Sequence, residues 1–78
     1  MHPDIINQAI PDADHEFVAT LRRLPDPPAG SREKILETLP MLHELFLQKR
    51  QAAQNGDQVE FMRIVEREVE LIGEWDEV

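Results

Sequence analysis

The sequence predicts a small all-α protein, an antiparallel helical hairpin with a helical arm, and three observations lead there. Apolar residues recur at three- and four-residue spacing in every long segment. Residues able to cap helices stand at the breaks between segments. The dipeptide Asn55-Gly56, followed by Asp57, joins two long helical patterns with almost no loop.

The arm comes first. Ile5, Ile6, Ala9 and Ile10 form a short apolar stripe that predicts a helix over about 3–10, opened near Pro3 and ended by Pro11. A helix this short needs a neighbour to be stable. Asp12 or Asp14 can cap a second helix over about 13–24, with Glu16 at its positive end. Phe17, Val18, Leu21 and Leu24 supply its apolar face, Arg22 and Arg23 close its last turn, and Pro25 stops it. Residues 1–24 are therefore a helical arm. Residues 25–30, Pro-Asp-Pro-Pro-Ala-Gly, form a proline-rich linker. The Pro25–Pro28 spacing also matches a PxxP ligand, a motif short enough to arise by chance.

The hairpin occupies 31–78, and with the arm it makes one domain. Ser31 caps a helix running to about 55. Pro40 inside it predicts a kink or a restart near Thr38. Gly56 supplies a left-handed stop, and Asp57 with Glu60 forms a capping box for a last helix over about 57–75. Lys49 and Arg50 near one helix end can meet Asp57 and Glu60 across the turn.

Ile35, Leu39, Leu42, Phe46 and Ala53 line one face of the long helix. Met41 and Leu45 flank it on one side, Leu36 and Leu47 on the other. On the last helix Phe61, Met62, Val65, Val69 and Ile72 form the main stripe, and Ile64, Leu71 and Trp75 a second ridge. A helix packed on one neighbour needs an apolar arc of roughly 100°. Both helices exceed that, so a second neighbour is expected: the arm, completing a three- or four-helix bundle, or another chain, which predicts a homodimer.

Composition narrows function. The net charge of −8 disfavours direct binding to nucleic acid and to anionic membranes. Residues 31–54 carry four basic and three acidic side chains, residues 57–78 two and eight, so the acid is concentrated in the last helix. No apolar run approaches the ~20 residues of a membrane span. The start Met1-His2-Pro3-Asp4 is not that of a signal peptide. The absence of Cys fits a reducing compartment, so a cytoplasmic location is expected.

No catalytic or cofactor motif is present. His2, His15 and His43 fall on separate segments without metal-ligand spacing, and the three Gly form no phosphate loop. Ser31, the lone Ser, is a helix cap rather than a nucleophile. A non-catalytic protein–protein interaction module, regulatory, adaptor or chaperone-like, is the expected class. No cofactor and no metal are expected, and the partner is a protein with a basic or apolar surface.

The candidate contact residues are Met41, Leu45, Ile64, Glu68, Leu71 and Trp75. Trp75 either covers the bundle end or anchors a partner. Glu68 either reaches water or an Arg at the edge of the apolar side, or forms a buried pair at an interface. His43 is expected to be half-buried and hydrogen-bonded, with a pH-switch role as the alternative.

A second functional reading is an acidic mimic of nucleic acid that blocks a basic groove. The stretch Leu42 to Trp75, with Leu47-Gln48-Lys49-Arg50-Gln51-Ala52-Ala53-Gln54-Asn55-Gly56-Asp57 before an acidic helix, is similar to the hairpins of bacterial export chaperones of the flagellar and type III secretion kind. That resemblance implies masking of an apolar helix of an export substrate.

Overall fold

The longest helix sets the length of the molecule. The computed structural model describes residues 3–77. Its elements are α1 (Pro3–Ala9), α2 (His15–Arg22), α3 (Arg32–Asn55) and α4 (Gln58–Gly73), with 3₁₀ turns at Ala29–Ser31 and Glu74–Glu77. At ~1.5 Å per residue α3 is about 36 Å long, close to the longest dimension of the molecule, 38 Å. The helices α1 and α4 and both 3₁₀ turns pack on α3. Met1, His2 and Val78 lie outside the described residues, and with them the metal reading of His2 and the outermost ends of the arm and hairpin.

The all-α architecture and the α3–α4 hairpin are as the sequence predicts. The turn between them is built as expected at Gly56, whose φ of 71° is left-handed. Its N–H donates to the Ala53 carbonyl, and the Asp57 N–H donates to Ala52 over 2.9 Å. These two bonds satisfy carbonyls that the helix end leaves open. They also make the capping box one-sided. Asp57 Oδ1 accepts from the Glu60 N–H at 3.1 Å, but its own N–H is already committed to Ala52.

Two local expectations change, and a third is narrowed. The helix α3 is continuous through Pro40, which removes the restart near Thr38 as an outcome. Ser31 stands at the N-terminus of α3, yet its hydroxyl donates backwards to the Pro28 carbonyl at 2.6 Å instead of capping. Its backbone is αR, which turns the side chain away from the first open N–H groups. Lys49 and Arg50 do not meet Asp57 and Glu60. Lys49 reaches Glu68 of α4, and Arg50 reaches α2.

The arm folds onto its own hairpin. Ile6 and Ile10 from the α1 segment, Phe17 and Leu21 from α2, Ile35, Leu39, Leu42 and Phe46 from α3, and Leu71 and Trp75 from the C-terminal end form one buried cluster. Asp14, rather than Asp12, caps α2, accepting from the N–H groups of Glu16 and Phe17 at 2.9 and 3.1 Å. Arg32 ties α3 to α1 through Gln8 at 2.8 Å. The first large part of the apolar surplus is thus absorbed within one subunit.

Candidate interaction surface

Two polar contacts tie α4 and the turn that follows it to α3. Thr38 is buried on α3, and its hydroxyl donates to the Lys34 carbonyl at 2.9 Å, with Ile35 at 3.2 Å. The same oxygen accepts from the indole Nε1 of Trp75 at 2.7 Å. A buried indole N–H needs such a partner. One level along, Lys49 Nζ and Glu68 Oε1 pair at 2.9 Å with side chains 22 % and 16 % exposed. On the same side as these contacts, Ile64, Leu71 and Trp75 are all buried.

This reverses the expected order of the two ridges on α4. Ile64, Leu71 and Trp75 belong to the interior, so none of them is available to a partner. Trp75 covers the bundle end. Glu68 is half-buried and neutralised inside its own chain. The stripe expected to be the core side is instead divided. Phe61, Val65 and Ile72 are half-buried, whereas Met62 and Val69 are 54 % and 64 % exposed, as is Val59 at 74 %, which lay outside that stripe.

The other candidates lie apart from these. Met41 is 46 % exposed on α3, and Leu45 is half-buried against the core. With Leu71, Pro40, Glu44 and Arg67 they line a cleft of about 380 Å³ along one side of the α3–α4 seam. Glu68 lines a different cleft, about 200 Å³, between α2 and α4 over Phe46 and Leu42. The six residues therefore do not form one surface. Ala53, expected on the core line of α3, is exposed, and Ala52 is buried in its place.

At 100° per residue, Val59, Met62, Glu66, Val69 and Gly73 fall within an arc of about 80° on α4, opposite Ile64 and Leu71. All five are exposed. Along one edge of this stripe Arg63 and Arg67 pair with Glu60 and Glu70 at 3.4 and 3.0 Å, and along the other lie Val65 and Ile72. At the foot of α4 a hollow of about 450 Å³ runs under the hairpin turn past Phe61 and Met62. Sequence reasoning missed this surface, although one signal was available. The positions 64, 68, 71 and 75 follow strict 4-3-4 spacing, which marks the narrow seam of a helix pair even though one member is Glu.

Other chemistry is sparse. The ring of His43 packs on Phe17 with centroids 4.9 Å apart, and no hydrogen bond to it is found among the described residues. Its expected polar partner is replaced by an aromatic one. Among the described residues no three His, Asp or Glu side chains come together as a metal set. No helix there is long and apolar enough to cross a membrane. The Asp14 carboxyl is held below its usual 3.8, first by the Phe17 N–H and then by the Arg50 guanidinium. Both contacts belong to the anchoring of α2.

Compared with known proteins, the chain matches no family model, no curated protein and no solved structure.

Proposed function

We propose that this chain is a non-catalytic interaction module, regulatory or adaptor-like, that binds another protein through the outer face of α4. The observation that supports the reading is the position of Val59, Met62 and Val69. Among the described residues they are three of the five large exposed apolar side chains, and they share one face of one helix. Scattered single apolar residues on a surface need no explanation, but an aligned exposed set has one in partner binding. An amphipathic helix needs only its inner stripe to fold. Here the inner stripe is already satisfied by α3, and the outer one adds nothing within the subunit.

One edge of this face carries Arg63 and Arg67 among Glu60, Glu70 and Glu74, and the other carries Val65 and Ile72. A partner with an apolar centre and an edge of mixed charge fits it. The nucleic-acid-mimic reading is not favoured, because Arg63 and Arg67 interrupt the carboxylates and pair with two of them. Working in a reducing compartment such as the cytoplasm belongs to the same proposal and agrees with the lack of Cys.

The test is site-specific photo-crosslinking in a native lysate, with the reactive group at position 62 and, as control, at the exposed position 33 on α3. Cross-links to a defined protein at 62 and not at 33 are expected. Absence of any product at 62, or the same products at both sites, would remove the basis of the proposal.

A further inference from the structure

We infer that the occupant of the outer face of α4 is a second copy of this chain, packed α4 against α4 in antiparallel fashion about a two-fold axis. The inference rests on reading that face as a contact surface and names what covers it.

The exposed positions 59, 62, 66, 69 and 73 alternate three- and four-residue steps, the spacing of a helix–helix seam. One edge of the seam carries Arg63 and Glu70, opposite charges that are seven residues apart and both well exposed. In a two-fold contact, if residue i meets residue j then j meets i. Antiparallel helices centred between 66 and 67 along this edge bring Arg63 to the partner's Glu70 and Glu70 to the partner's Arg63. One register thus forms two ion pairs. A parallel arrangement would set Arg63 and Glu70 against Gln58 and Val65 and form none. Charge complementarity thus suits a second copy and favours the antiparallel direction, with Arg63 and Glu70 exchanging their exposed pairs with Glu60 and Arg67 for pairs across the axis.

The same register brings the other edge together. Val65 comes beside the partner's Ile72, and both of these side chains are half-buried in the subunit. They border the cleft over Phe46, which the second helix would cover. Met62 falls opposite the partner's Gly73. A Cβ at Gly73 would meet no atom within 4 Å, so nothing in the subunit requires glycine there. In a helix glycine costs about 1 kcal/mol relative to alanine. Room for the partner's thioether supplies a reason for it. Glu66, in the middle of the seam, weakens the contact and restricts the register, as a lone polar residue does in such seams. The dimer is consequently weak and concentration-dependent.

Light scattering coupled to size exclusion on the intact chain, at rising concentration, tests this. The mass should climb from 9.0 kDa towards twice that value. Arg63→Glu and Glu70→Arg should each abolish the rise, because each sets like charges opposite one another across the axis. An equimolar mixture of the two variants should recover the two-fold mass, since every contact then pairs opposite signs. The mixture guards against a variant that merely folds poorly, and circular dichroism of each checks helicity. A wild-type chain that stays at 9.0 kDa, or a mixture that fails to recover, overturns the inference. The crosslinker at position 62 then separates the two levels. Capture of a different protein leaves the α4 contact face standing with another occupant, whereas no capture removes the face as well.

Discussion

Arg50 Nη2 lies 2.8 Å from both Asp14 Oδ2 and Glu16 Oε2, so one guanidinium on α3 holds the first turn of α2. The same guanidinium sits 5.0 Å from the centre of the Phe46 ring, against which Phe17 of α2 also packs. Arg50→Met should therefore loosen α2 selectively. Amide exchange in residues 15–22 should speed up severalfold while α4 is unchanged, and global stability should fall only slightly, because the pairs are partly exposed. Uniform acceleration across all helices would contradict this division.

Acid should act on the same contact. The folded-state value of Asp14 is depressed, so its contribution is complete above about pH 3.8 and is lost as pH falls through the lowered value. Exchange in α2 measured on the way down should rise in that acidic window. In Arg50→Met the onset should come at higher pH, because the guanidinium's share of the depression has been removed while the Phe17 and Glu16 N–H groups remain.

The Trp75–Thr38 bond makes a different prediction. Thr38→Val leaves a buried indole N–H without an acceptor, which costs about 1–3 kcal/mol. Trp75→Phe also loses the bond but leaves no stranded donor. Urea unfolding of the two single variants and the double should show non-additivity, with the double less destabilised than the sum. Strict additivity would mean that the bond contributes nothing.

Two glycines should respond with opposite signs. Gly56→Ala forces a left-handed backbone on a residue with a Cβ and should cost about 1–2 kcal/mol. Gly73→Ala lies in an open helical site and should gain about 0.5–1 kcal/mol when measured at low concentration. Thermal melts of both proteins check the pair of signs.

Lys49 and Glu68 are coupled across α3 and α4. Glu68→Leu alone should destabilise by roughly 1–2 kcal/mol, since it leaves a mostly covered ammonium unpaired. Adding Lys49→Met should restore most of the loss, because two apolar side chains can replace such a pair. A double variant no better than the single would show that the charges do more than neutralise each other.

The fold was legible from the sequence wherever local chemistry decides it. Asp14, Gly56 and Asp57 each act through their own backbone neighbourhood, so the helix boundaries they imply lie close to those observed. The rotation of α4 left one signal, the 4-3-4 spacing of positions 64, 68, 71 and 75, and it was outweighed by a simple count. Counting apolar residues favoured the stripe through Met62 and Val69, which has more members than the ridge through Ile64 and Leu71. The choice was made instead by Thr38 and Lys49 on a different helix, whose partners Trp75 and Glu68 are 37 and 19 positions away in sequence. Contacts between residues so far apart in sequence are set by tertiary packing. The same applies to Arg50, which pointed to the nearby turn by sequence proximity and found α2 instead.

Trp75 is the one tryptophan, and the chain has no tyrosine. Ultraviolet emission excited at the red edge of protein absorption therefore comes from one indole, enclosed and hydrogen-bonded to α3. Its spectrum should be shifted to the blue in the native protein and move to the red when the chain end detaches from α3. The molecule carries its own optical gauge of that detachment, and no dye or label is needed to follow it.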